Sequence, residues 1–101
     1  IEVNSARLLL WRAAGEIDAG RDARDLIAMV KVDAAETLGR VVDRAVQIFG
    51  GMGFCKDLPI ERYYRDARVY RIFDGASEVH RHTLARNALK RGPELFDIGA
   101  Q

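Results

Sequence analysis

Residues 26–53 read LIAMVKVDAAETLGRVVDRAVQIFGGMG, and this stretch decides the fold. Leu26, Val30, Ala34, Leu38, Val41, Val42, Ala45, Val46 and Phe49 recur at three- and four-residue steps, the period of one helix face. Asp22 or Asp25 is placed to cap the start, and Gly50-Gly51 stops the run. The stretch is therefore one long helix, rich in Ala and Val that permit close packing. Lys31, Asp33, Glu36, Arg40 and Asp43 mostly fall off the stripe and read as a solvated face.

Toward the N-terminus, Leu9, Leu10, Ala13, Ala14 and Ile17 repeat the spacing in a helix from Ile1 to Ala19, with Gly20 where a helix-ending glycine sits. Ile1, Val3 and Ala6 are already at amphipathic spacing and no initiator Met precedes them, so the sequence reads as a piece of a longer protein entered part-way along a helix. Beyond Gly53, Pro59 suits the first position of a third helix running to about Arg71, with Glu61 and Arg65 spaced as an ion pair. Ser77 is positioned to cap a fourth helix with Val79, Thr83, Leu84, Ala88 and Leu89 inward, ended by Gly92-Pro93. Strand-like alternation and internal repeats are absent from the sequence. The expected fold is all-α, a helical bundle of about four helices over residues 1–91 with a tail at 92–101.

A chain of 101 residues is at most one domain with a modest core. Its 16 basic and 15 acidic side chains nearly cancel, which gives no case for nucleic acid or an anionic membrane as partner. No apolar run approaches the roughly 20 residues of a spanning helix. Cys55 is the single cysteine, which excludes an internal disulfide framework, fits a reducing compartment and reads as a buried or loop thiol rather than a nucleophile. His80 and His82 stand two apart on a helix and point to different faces, so no metal is assigned. Trp11, Phe54, Tyr63, Tyr64 and Tyr70 read most simply as packing residues.

Three features remain once the core stripes are set aside: Gln47-Ile48-Phe49-Gly50-Gly51-Met52-Gly53, Glu61-Arg62-Tyr63-Tyr64-Arg65-Asp66-Ala67-Arg68, and Phe73-Asp74-Gly75-Ala76-Ser77-Glu78. Taken singly, each has a plain structural reading. A glycine cluster after a helix is a stop signal, and without a preceding strand it is not a dinucleotide-binding turn. An Asp-Gly pair between helices is a turn former. The arginine-rich segment reads as a helix-to-helix salt-bridge network with Glu61 and Asp66, or as a phosphate site.

Taken together, the order and separation of the three resemble the C-terminal domain of the acyl-CoA dehydrogenase family, whose pattern is Q-x-x-G-G-x-G, then P-x-E-R-x-x-R-D-A-R, then an aromatic-acid-Gly turn opening the last helix. The likeness extends from about Arg7 through Arg91. Asp74-Gly75 followed by Glu78-Val79-His80 looks most like the branch that includes the mammalian members ten and eleven and related bacterial proteins.

The resemblance implies a flavin-dependent acyl-CoA dehydrogenase, converting an acyl-CoA to the trans-2-enoyl-CoA while FAD is reduced. Asp74 falls where many members carry the glutamate that takes the α-proton, one methylene longer. Its backbone N–H would donate to the thioester carbonyl, Gly75 would leave room for the thioester, and Phe73 would line the acyl pocket. Gln47, Ile48, Phe49, Gly50 and Gly51 would approach the ADP half of an FAD bound mainly by a neighbouring subunit, which implies a homo-oligomer, dimer or tetramer. Ala76, where members commonly have threonine, would face the cofactor with Ser77 and Glu78. The implied partners are acyl-CoA and an electron-transfer flavoprotein or similar acceptor, in the bacterial cytoplasm or in mitochondria or peroxisomes of a eukaryote. The other class of function is a non-catalytic helical oligomerisation or interaction module derived from the family. In either case the family's earlier domains are absent here, so the apolar stripes are expected to be partly exposed.

Overall fold

A computed structural model describes residues 1–96. It contains α1 (Glu2–Asp18), α2 (Arg24–Phe49), the one-turn α3 (Gly51–Phe54), α4 (Ile60–Val69) and α5 (Ser77–Arg91), closed by a 3-10 turn at Gly92–Phe96. No strand occurs among the described residues, so the all-α expectation holds. Of the expected tail, residues 97–101 lie outside the described residues.

The long helix α2 is the axis, with α1, α4 and α5 packed against it and α3 folded back on its C-terminal end. The buried apolar set is Ala13, Ala23, Ala28, Val32, Ala35, Val42 and Ala67. These small side chains let helix backbones approach closely, but none supplies the large buried area of a Leu or Phe. The buried face of α2 therefore runs through Ala28, Val32, Ala35 and Val42, rotated from the stripe expected through Ala34, Leu38 and Val41, all three of which are exposed.

Other expectations shift for the same reason. On α1 the face toward α2 is Glu2, Ala6, Leu9, Ala13 and Glu16, while Leu10, Trp11 and Ile17 are exposed. On α5, Val79 and Leu89 are exposed, whereas Thr83, Leu84 and Ala88 are half-buried as expected, together with His80 and Asn87. Trp11, Phe54, Tyr63 and Tyr64 are exposed rather than packed in the core, with Phe54 and Tyr64 lining an open groove between α2, α3 and α4.

Of the α2 charges read as a solvated face, Asp43 is exposed, but Glu36 and Arg40 bind neighbouring helices. Arg40 Nε donates to the Glu2 carboxylate at 2.7 Å and Arg44 to its other oxygen at 2.6 Å, tying α2 to α1. Glu36 pairs with Arg81 of α5 at 2.7 Å, and Asp25 accepts from Asn87 at 2.7 Å and lies 3.3 Å from Arg91. In α4 the pairs Arg65–Glu61 and Arg62–Asp66 stay within the helix, at 2.9 and 3.5 Å, and do not bridge to another element. Asp22, not Asp25, serves the start of α2, accepting the Arg24 backbone N–H at 3.1 Å.

Candidate functional site

The segment between α4 and α5 is built around two consecutive positive-φ residues, Asp74 at +52° and Gly75 at +86°. Gly tolerates that conformation freely and Asp better than most side chains, which is why an Asp-Gly pair stands here. Before it, the N–H groups of Ile72 and Phe73 both reach the Val69 carbonyl, at 2.8 and 3.1 Å, tightening the end of α4. After it, the Ser77 N–H donates back to the Arg71 carbonyl at 3.2 Å and α5 begins. A Cβ added at Gly75 would lie 2.6 Å from His80 Nε2, so the turn also needs a glycine to seat the His80 ring.

The carbonyls of this turn have partners that the sequence alone did not reveal. Lys31 Nζ, from the first third of α2, donates to the carbonyls of Tyr70, Phe73 at 3.0 Å and Gly75 at 3.2 Å. The same ammonium stands 5.8 Å from the Phe73 ring centroid, and that ring meets Tyr70 edge-on at 5.2 Å. His80 Nε2 lies 3.3 Å from the Asp74 carbonyl oxygen and donates to it in the tautomer protonated at that nitrogen.

The orientation of the N–H groups follows. In a planar trans peptide the C=O and the following N–H point opposite ways. With the Phe73 and Gly75 carbonyls turned to Lys31, the N–H groups of Asp74 and Ala76 are turned away from it. Among the described residues neither N–H donates to a backbone carbonyl. The Asp74 side chain is exposed at the same turn, so a carboxylate and an outward N–H belong to one residue.

The position of Lys31 in the sequence carries a signal of this role. It lies three residues after Ala28 and four before Ala35, on the small-residue face where α2 is most tightly covered, and a charge there needs partners. The Arg81 guanidinium holds the Glu36 carboxyl below the ordinary carboxylate range, with burial opposing it and the nearby Ser77 hydroxyl adding a smaller lowering. Ser77 itself is buried, and its hydroxyl has no partner at hydrogen-bonding geometry among the described residues. It does not cap α5; Ala76 occupies the cap position. Buried beneath the turn, the Ser77 side chain is not available to an outside ligand, whereas Glu78 is exposed and Ala76 partly so.

The glycine-rich segment lies elsewhere. Gly50 ends α2 with φ +60° and ψ −136°, a region essentially reserved for glycine, and its N–H returns to the Val46 carbonyl at 2.9 Å. Gly53 is where backbones touch: a Cβ there would lie 2.9 Å from the Val46 carbonyl oxygen. Gln47, Ile48, Phe49, Gly50 and Gly51 are all exposed, and a Cβ at Gly50 or Gly51 would meet nothing within 4 Å. This open knuckle sets two exposed apolar side chains, Ile48 and Phe49, beside bare backbone. From Lys31 to Gly50 the helix rises about 28 Å, so one chain does not bring the knuckle and the Asp74 turn together.

Two open grooves flank these features. One of about 270 Å³ is lined by Val30, Lys31, Ala34, Ala35, Leu38 and Tyr70, beside the turn. The other, about 440 Å³, runs between α2, α3 and α4 past Val46, Gly53, Phe54 and Tyr64. Among the described residues no three His, Cys, Asp or Glu side chains are grouped to hold a metal, and no helix is long and apolar enough to cross a membrane.

The fold and site together define an all-helical domain that presents a carboxylate and a backbone donor from one interhelical turn. Residues 1–89 match the family model described as acyl-CoA dehydrogenase, C-terminal domain, and the chain belongs to that family. It is 45% identical over 89 residues to the 3-(aryl)acrylate reductase of Clostridium sporogenes, covering 88% of this chain and 24% of that protein. It superposes on the butyryl-CoA dehydrogenase of Megasphaera elsdenii with a TM-score of 0.85 at 33% identity, over 87% of this chain and 23% of that one. It superposes on an FAD complex of PigA with a TM-score of 0.84 at 32% identity, over 90% of this chain and 24% of that one. The chain thus spans about a quarter of the length of the proteins it matches.

Proposed function

We propose that this chain is the C-terminal helical part of an FAD-dependent acyl-CoA dehydrogenase and that Asp74 is its α-proton base. The observation that carries the reading is the Asp74 turn: an exposed carboxylate on a residue of positive φ, whose own N–H points away from Lys31 and donates to no backbone carbonyl among the described residues. The carboxylate takes the α-proton of an acyl-CoA, and the outward N–H stabilises the charge that develops on the thioester oxygen. General-base help contributes roughly 10²–10⁴-fold and an oriented donor roughly 10²–10³-fold. Gly75 leaves the thioester room and Phe73 lines the start of the acyl site. FAD, when bound, accepts the β-hydrogen as hydride.

The knuckle from Gln47 to Gly51, with Ala76 and Glu78 at the start of α5, supplies the cofactor contacts. Because the knuckle is remote from Asp74 within one chain, it serves an FAD whose site belongs mainly to a second subunit, in a homodimer or homotetramer. An electron-transfer flavoprotein or similar acceptor reoxidises the enzyme, in the bacterial cytoplasm or in a mitochondrion or peroxisome.

A second reading concerns direction. The named activity of the Clostridium sporogenes relative is a reduction. In that sense protonated Asp74 returns the α-proton to an enolate, with the same N–H holding the oxygen. Mixing the intact flavoprotein anaerobically with a panel of acyl-CoA and enoyl-CoA thioesters tests both. Bleaching of the flavin by a saturated thioester establishes dehydrogenation, and reoxidation of the chemically reduced enzyme only by enoyl thioesters selects reduction. Silence toward every thioester of both panels contradicts the proposal.

A further inference from the structure

We propose that Lys31 is a positioning residue for this chemistry, its ammonium holding the backbone of the Asp74 turn so that the Asp74 N–H is aimed at the substrate oxygen. The inference rests on the dehydrogenase reading above and deepens it.

The geometry distinguishes this role from an ordinary helix cap. A cation at the C-terminal end of α4 would need only the last helical carbonyls, and Tyr70 supplies one. Lys31 continues past the helix to Phe73 and Gly75, the two carbonyls on either side of Asp74. Three N–H donors meet three acceptors, which is the full capacity of an ammonium. The carbonyl between them, that of Asp74, is the one His80 approaches. Every carbonyl from Phe73 to Gly75 is thereby fixed, and with it the direction of every following N–H.

Charge adds to orientation. Lys31 is half-buried, and among the described residues it has no carboxylate partner; its charge rests on carbonyl dipoles and the Phe73 ring. An amide whose C=O accepts from a cation is a stronger donor through its N–H, because hydrogen bonds in series polarise one another. The Phe73–Asp74 peptide is placed in such a series, with Lys31 at one end and the substrate oxygen at the other. The clamp also sustains Asp74 at positive φ, a conformation that persists only where surrounding structure over-determines it. Arginine does not replace this arrangement, since a planar fork cannot converge on three carbonyls around one point.

The test uses the intact flavoenzyme with Lys31→Met, Lys31→Arg and, as a control, Asp74→Asn. Four quantities are read: flavin content, thermal midpoint, the rate of flavin bleaching in a single turnover, and the infrared C=O stretch of a bound ¹³C-labelled acyl-CoA. Lys31→Met is expected to bleach at least about tenfold more slowly, because a misaimed oxyanion donor forfeits part of its effect. Its bound thioester stretch should return toward the frequency of the free thioester, and Lys31→Arg should fall between. Asp74→Asn should slow bleaching but keep the shifted stretch, since its N–H remains. If Lys31→Met does not retain flavin, Lys31→Arg decides: slower bleaching and a partly returned stretch at normal flavin content support the role. A wild-type stretch and rate in whichever variant retains flavin overturns it. A fast Asp74→Asn with a shifted stretch lost only in the Lys31 variants would remove Asp74 as base and leave the clamp standing.

Discussion

Lys31 and Phe73 are joined twice, the ammonium donating to the Phe73 carbonyl at 3.0 Å and standing 5.8 Å from its ring centroid. The two contacts separate in a mutant. Phe73→Leu keeps the backbone hydrogen bond and loses the ring's interactions with Lys31 and Tyr70. A partly exposed cation–π contact and an aromatic edge contact are together worth about 1–2 kcal/mol. The expected result is an unfolding free energy lowered by that order with flavin content unchanged. A loss above about 4 kcal/mol would mean that the ring, not the carbonyl clamp, organises the turn.

The glycines of the knuckle should respond individually. Gly50→Ala forces a side chain into a glycine-only conformation, at a cost of about 1–3 kcal/mol. Gly53→Ala drives a Cβ against the Val46 backbone, which cannot swing aside, and costs a similar 1–3 kcal/mol, roughly, by overpacking. Gly51→Ala meets nothing and lies in a helical turn, so it should be neutral or stabilising by about 0.4–1 kcal/mol. On the proposed function this same variant should bind FAD more weakly, because the methyl group stands where the cofactor approaches. Flavin titration beside thermal melts checks the pair; unchanged FAD affinity in Gly51→Ala would remove that residue from the cofactor site.

The Glu36–Arg81 bridge predicts a pH dependence. The folded-state pKa of Glu36 is lowered by Arg81, so its contribution is present above the unfolded carboxylate value and is lost as pH falls through the lowered folded value. Wild type and Glu36→Gln should therefore differ in thermal midpoint by a steady amount from pH 7 to 5, worth no more than about 1 kcal/mol for so exposed an arginine. The gap should close below about pH 4.3. A gap undiminished at low pH would show that Glu36 acts through something other than its charge.

Helix existence, order and the Asp-Gly turn were legible in the sequence because periodicity, glycines and one proline encode them locally. The rotation of α2 was not, since its closest contacts are made by Ala28 and Ala35 while larger residues such as Leu38 face outward. Hydrophobicity marks what is apolar, and small-residue packing marks what is near; here the two disagree. The same disagreement hid Lys31, whose partners lie 39 to 44 residues away. Ser77 looked like a cap by type and position, yet its hydroxyl is buried against α2, a tertiary fact with no local signature.

The central claim is that the Asp74 carboxylate takes the α-proton, and stopped-flow bleaching of the flavin in Asp74→Asn tests it most directly. Asparagine tolerates the positive φ of this turn about as well as aspartate and keeps the same N–H, so fold, flavin content and acyl-CoA affinity should persist. An amide cannot accept the proton, and bleaching should slow by about 10²-fold or more. Bleaching of Asp74→Asn at the wild-type rate, with flavin fully bound, would contradict the account and place the base outside this turn.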